Sequence, residues 1–161
     1  MKPHIGLLKQ PSCALALSFG AGLSPWAPGT MGALVALPIC AALRTAPVIL
    51  IAAMLIVFFV VGCIACGKAC QVLGKQDHGS IVWDETYGML VVLLSVPFSP
   101  WWWLAAFLAF RFFDIQKPWP IYLADVYTDG GVAVMLDDVA AAIGAAGLLW
   151  VAKLLVLPLL P

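Results

Sequence analysis

All eight carboxylates of this chain, Asp77, Asp84, Glu85, Asp114, Asp125, Asp129, Asp137 and Asp138, fall within one central stretch, while the sequence on either side is close to pure hydrocarbon. Few folds accommodate that distribution. A charge at membrane depth is costly, so acids in such a setting face a bundle interior or a water-filled cavity and mark a pathway or an active site. Seven of the eight are Asp, the short carboxylate that suits hard cations such as magnesium.

The hydrocarbon itself sets the class. With 64% hydrophobic residues, 10% charged residues and a mean hydropathy of +1.06, the chain lies far from the soluble range of roughly half apolar and a quarter charged. It reads as an integral membrane protein bathed in membrane lipids. The net charge is zero and no Lys/Arg cluster exists, so the electrostatic footprint of a nucleic-acid binder is missing. No obligate protein partner is indicated. The 161 residues form a single domain, 1–161, with room for about four to five transmembrane or half-membrane helices at roughly 20 residues per span.

Five cysteines, Cys13, Cys40, Cys63, Cys66 and Cys70, sit inside apolar runs. An odd, scattered set does not read as a disulfide framework. Cys63, Cys66 and Cys70 would share one helix face, and with no His nearby they read as packing residues rather than as a soft-metal site. Lys2 and Lys9 precede a short run, Cys13 to Phe19, that superficially resembles a signal peptide. The run is short and leads into Gly20-Ala21-Gly22, so it is expected to be part of the mature fold.

The expected fold is an all-α polytopic bundle. Helices are predicted over 30–43, interrupted by Pro38, over 47–70, from just after Ser80 to Val96, over 101–116, and from Asp138 to about Leu157. Pro97-Phe98-Ser99-Pro100 must break the chain between the third and fourth, because proline lacks an amide and restricts its predecessor. The result is a helical hairpin in which Glu85, twelve residues before Pro97, and Arg111, eleven after Pro100, reach the same depth. Asp84, Glu85, Arg111 and Asp114 thereby become neighbours. Lys2, Lys9, Lys68, Lys75, Arg111 and Lys117 then share one side against Arg44 and Lys153 on the other, which puts the acids at the cytoplasmic face. Trp101, Trp102 and Trp103 form an aromatic anchor at the opposite interface.

Adjacent acids at Asp84 and Glu85 demand a counter-charge, since like charges held together would force one to stay protonated. A divalent cation or Arg111 would supply it. The plainer alternative is a buried Glu85/Arg111 ion pair that only positions helices; the number of acids at similar depth, Asp77, Asp84, Asp114, Asp137 and Asp138, favours metal binding. His78 is either an acid–base group or a loop residue. Arg111, Asp114 and Lys117 follow i+3 steps on one helix face, and cations beside metal-binding acids are what an anionic oxygen ligand requires, although Lys117 alone could merely snorkel. Asp137-Asp138 precedes the last predicted helix, where an acid also serves as N-cap. Gly20 to Gly32 is a glycine-rich turn opening a helix, and its spare amides with the Thr30 hydroxyl make either a phosphate cradle or simply a turn.

The strings GAGLSPWAPGTMG, DHGSIVWDETYG, FRFFDIQKPWPI and DGGVAVMLDD, in this order and followed by a small-residue helix, resemble the phosphatidylglycerophosphatase A family over about residues 18–149. Two stretches depart from the family pattern: Ala33 stands where a Ser often follows PGTxG, and Val132-Ala133-Val134 replaces a Gly-containing version of the GG loop. The resemblance implies a magnesium-dependent lipid phosphatase of the bacterial inner membrane that converts phosphatidylglycerophosphate to phosphatidylglycerol. It implies metal ligation by Asp84, Glu85, Asp114, Asp137 and Asp138, and phosphate binding by Arg111, Lys117, Thr30 and Gly29. Asp77, His78, Asp84 and Glu85 are the implied catalytic group. The DxDx[TV] pattern of aspartyl-phosphate enzymes is absent, so direct attack by water is expected. The alternative from another class is a small ion- or proton-coupled transporter using the acid cluster; no inverted repeat supports it.

Overall fold

In a chain this apolar, backbone groups that cannot reach water must pair internally, and a helix does so within one segment. The structure is a computed structural model that describes residues 3–76, 78–116 and 130–156. Every element among them is helical. A 3₁₀ turn (Ile5–Lys9), α1 (Pro11–Ala16) and a kinked 3₁₀ segment (Ser18–Leu23) lead into α2 (Pro28–Leu43), α3 (Val48–Leu73), α4 (Trp83–Ser95), α5 (Pro100–Gln116) and α6 (Gly130–Val156).

Local chemistry sets most boundaries. Pro28 occupies the first turn of α2, where a missing amide costs nothing. Gly74 ends α3 in the left-handed region, φ 69°, with its N–H returning to the Cys70 carbonyl. Val96, ahead of Pro97, is extended and stops α4. The hairpin between α4 and α5 therefore forms where proline requires it.

Two expectations fail here. The helix carrying Pro38 is not interrupted: α2 runs continuously from Pro28 to Leu43 through it. The last helix starts at Gly130, eight residues before Asp138, so neither Asp137 nor Asp138 caps it and both lie inside it. The reason is close packing. A Cβ on Gly131 would lie 1.9 Å from the Cys63 carbonyl oxygen and 2.5 Å from the Gly67 nitrogen, so Gly131 is where α6 crosses the backbone of α3, while Gly130, at φ 74°, turns the chain into the helix.

Helix α4 lies between α2 and α6, α5 packs on α6 and α4, and α3 packs on α6 and α1. One apolar cluster joins Ala33 and Ala36 of α2, Leu90 and Leu93 of α4, Phe110 of α5 and Ala142 of α6. A second joins Leu17, Cys66, Ala69, Trp83 and Met135. The run from Cys13 thus belongs to the core, and Cys66 and Cys70 are buried free thiols, the packing role expected of them. Ala141, Ala142 and Ala145 are buried on α6, where small side chains let helices approach.

Two helices are long and apolar enough to cross a membrane, Val48–Leu73 and Gly130–Leu155. The other three main helices have 16, 13 and 17 residues, short of the roughly 20 that a full span needs. At the end of α2, Arg44 donates to the Val96 and Leu93 carbonyls and stacks over the Phe98 ring. The start of α2 and the acids of α4 consequently lie at the other end of the bundle.

Candidate active site

Asp84 and Glu85 stand in the first turn of α4, where the helix dipole favours negative charge. Asp138 reaches them from α6 because α4 carries Gly88 at the contact: a Cβ there would be 3.0 Å from the Asp138 carbonyl oxygen and 2.7 Å from the Phe110 ring. The three carboxylates offer ligand atoms within 4.8 Å of one another. Asp84 is 7% exposed and Asp138 3%, and Glu85 is half-buried.

Asp84 Oδ1, Glu85 Oε2 and Asp138 Oδ2 are buried with no hydrogen-bond partner. A carboxylate oxygen withdrawn from water without a partner is expensive. Three such oxygens on converging side chains form a hard, oxygen-only donor set, which fits a cation such as Mg²⁺. Asp114 lies beside Asp138 and Glu85 and holds the Arg111 guanidinium in an ion pair. Asp137 neighbours Asp138 but stands outside the converging three.

Arg111 faces the start of α2. A Cβ built on Gly29 would sit 2.3 Å from Glu85 Oε1 and 3.2 Å from Arg111 Nη1, so only glycine leaves this approach open. The α2 ladder begins with the Met31 N–H on the Ala27 carbonyl, and the Gly29 and Thr30 amides precede it as spare donors. Thr30 is half-buried beside them. Carboxylates, one guanidinium and two free amides therefore meet at one place, and the depth match expected from the hairpin is realised.

The sequence-predicted set divides accordingly. Asp84, Glu85, Asp114, Asp137, Asp138, Arg111, Gly29 and Thr30 gather at this end. His78 lies in the connection before α4, its Nδ1 accepting from the Ser80 amide at 3.2 Å, which leaves its ring proton on Nε2. Asp77 and Lys117, with Asp125 and Asp129, lie outside the described residues.

One group escaped sequence reasoning. Ser18 and Thr86 hydroxyls sit 2.7 Å apart, Ser18 donates to the Val82 carbonyl at 3.1 Å, and Thr86 donates to the Gly32 carbonyl at 2.8 Å. This buried network ties α2, through Gly32, and the kinked segment, through Ser18, to α4 immediately beside the acids. Thr86 stands next to Glu85 in the motif; nothing in the sequence pairs it with a serine 68 residues away.

Fold and site define an all-helical, largely apolar protein that gathers carboxylates, a guanidinium and helix-start amides at one end of a bundle. The family model for phosphatidylglycerophosphatase A matches residues 14–153, and the chain belongs to that family of phosphatases. It is 40% identical over 144 residues to the phosphatidylglycerophosphatase A of Escherichia coli, covering 89% of this chain and 84% of that one. It is 45% identical over 142 residues to the protein of the same name from Haemophilus influenzae, covering 86% of each. A relative from Bacteroides thetaiotaomicron, provisionally named a phosphatidylinositol-3-phosphatase, is 39% identical over 157 residues, with 91% of this chain and 98% of that one covered. No solved structure matches. The family gives no support to the transporter alternative.

Proposed function

We propose that this chain is a Mg²⁺-dependent phosphatase of the bacterial inner membrane that removes the terminal phosphate of phosphatidylglycerophosphate at the cytoplasmic leaflet, leaving phosphatidylglycerol. The observation that carries this reading is the convergence of Asp84, Glu85 and Asp138 within 4.8 Å, their orphaned oxygens beside Gly29 and Arg111. Membrane placement is supported by α3, whose most apolar window is only 11% buried against the rest of the protein. Such a surface is stable in lipid and not in water.

Asp84, Glu85 and Asp138 would hold the cation, and Asp114 and Asp137 stand near Asp138. When bound, Mg²⁺ supplies Lewis-acid polarisation of the phosphoryl oxygens and neutralises developing negative charge. Arg111, oriented by Asp114, clamps the phosphate through its planar fork of donors, while the Gly29 and Thr30 amides at the helix start take a further oxygen. Lys117 adds a second cation by family resemblance. Asp84 and Asp138 are withdrawn from bulk water, which strengthens the interactions they make. Asp77 and His78 are the proton-transfer candidates for an attacking water, and no phospho-enzyme is required.

Phosphate release from phosphatidylglycerophosphate by the purified protein tests this reading. EDTA abolishes it and Mg²⁺ restores it; full activity in EDTA would overturn the metal assignment. Phosphatidylinositol 3-phosphate belongs in the same assay, because one relative carries that specificity in its name.

A further inference from the structure

The substrate of the proposed reaction is a lipid, and the site described so far accounts only for its phosphate. Helices α2 and α5 both pack on α4 yet scarcely touch each other, which leaves a furrow between them. It is an open cavity of about 400 Å³ lined by Leu34 and Leu37 of α2 and by Pro100, Trp103, Leu104 and Phe107 of α5. These rims belong to the two helices that carry Gly29 and Arg111. Counting at 1.5 Å per residue, Leu34 and Phe107 lie roughly 6 to 8 Å from Gly29 and Arg111 along their helices, and Leu37 and Leu104 roughly 10 to 12 Å. The antiparallel register makes the pairs level. At its far end the furrow continues through Pro100 and Trp103 into a second apolar hollow of about 240 Å³ bordered by Phe98 and Ser99.

We infer that the α2–α5 furrow is the binding groove for one acyl chain of the lipid whose phosphate sits at Gly29 and Arg111. The inference rests on the phosphatase reading and deepens it. Three observations select this occupant. The furrow lies between the two helices that carry Gly29 and Arg111, with its nearest rim residues, Leu34 and Phe107, roughly 6 to 8 Å along those helices from them; its lining is apolar, and it runs away from the only end of the bundle that gathers charge among the described residues. The outer face of α3, with Ile56, Val57, Val60 and Ile64 exposed, is equally apolar but leads to no phosphate group. The furrow thus distinguishes substrate from bulk lipid.

Two measurements test it. In the first, Leu37→Trp and Leu104→Trp fill the groove, and phosphate release is compared for long-chain and short-chain phosphatidylglycerophosphate in the same detergent micelles. The expected result is a loss of about tenfold in kcat/KM for the long-chain lipid, the scale on which an apolar pocket discriminates, with the short-chain lipid cleaved at its normal rate. Leu104→Ala, which widens the groove without overpacking, provides a folded control and lowers the same ratio. Equal effects on both lipids overturn the groove. In the second, a long-chain lipid with a photoactivatable group on its acyl chain is cross-linked to the wild-type protein. Adducts concentrate on 34–37 and 103–107; adducts spread evenly over α3 overturn the proposal. If the wild-type protein cleaves neither lipid, the phosphatase reading fails and the cross-link map alone decides the groove.

Discussion

Helices α3 and α6 are nearly equal in length, 26 and 27 residues, and both are apolar enough to cross a membrane, yet they are built for different tasks. In its most apolar window α3 is 11% buried and α6 is 44%. Helix α3 presents Val57, Val60, Val61 and Ile64 outward and carries its only charge, Lys68, near one end. Helix α6 places Asp137 and Asp138 in its first third and follows them with Ala141, Ala142 and Ala145, all buried. Hydropathy alone would class the two together. The difference is that α6 offers small side chains to its neighbours between Gly131 and Ala145, so a carboxylate on it can be enclosed by α4 and α5 rather than left on the surface. Helix α3 packs on α6 and α1 with one side and leaves bare hydrocarbon on the other.

The sharpest way to break this contrast is to neutralise the acid. Asp138→Asn keeps the size and hydrogen-bonding capacity of the side chain but removes its charge. If α6 carries a cation ligand, turnover falls by about 10² or more while the protein inserts and melts normally. Asp84→Asn behaves alike, since the two carboxylates serve one site. A polar change on α3, Val60→Asn, leaves turnover of the protein that inserts unchanged. Should Asp138→Asn remain active but melt much lower, the acid would be structural and the contrast between the helices only one of packing.

A smaller effect is expected where the two helices meet. Gly131→Ala pushes a methyl group into the Cys63 carbonyl, 1.9 Å from its ideal position, and neither atom sits on a flexible side chain. Forcing the helices apart costs about 1 to 3 kcal/mol, read as a lower melting temperature in detergent. Turnover declines with it, because α6 then no longer presents Asp138 to Asp84 at the same distance. A variant with unchanged stability would mean that α3 and α6 do not cross at these glycines.

Much of this was legible in the sequence, and the failures share a cause. The hairpin could be read because Pro97 and Pro100 act on the backbone locally, and with it came the neighbourhood of Glu85 and Arg111. The start of α6 could not. Gly130-Gly131 reads as a loop when only the chain itself is considered, and Gly131 enters the helix because the backbone at Cys63 and Gly67 packs where a side chain would stand. Pro38 was misjudged for the same reason: packing of Ala33, Ala36 and Cys40 on α4 holds α2 together across a residue that would weaken it alone. The Ser18–Thr86 network joins segments far apart in sequence, and no local pattern announces it. The acids were found because charge in hydrocarbon is conspicuous; which of them converge depended on Gly88 and Gly29, whose contribution is the space they leave.

The smallest expected effect tests whether that space, rather than glycine itself, is what α6 requires. Gly147 lies on the same helix as Gly131, yet a Cβ there meets nothing within 4 Å. Glycine inside a helix loses more backbone entropy on folding than alanine, by roughly 0.5 to 1 kcal/mol. Gly147→Ala should therefore raise the melting temperature slightly and leave phosphate release unchanged, the opposite sign to Gly131→Ala on one helix with one chemical change. If Gly147→Ala instead destabilises the protein, a second surface must approach this face of α6, and the burial that separates α6 from α3 would be larger than the single chain displays. Measuring both variants in the same detergent makes the signs directly comparable, because micelle effects act on the two alike while only Gly131 meets the backbone of Cys63 and Gly67.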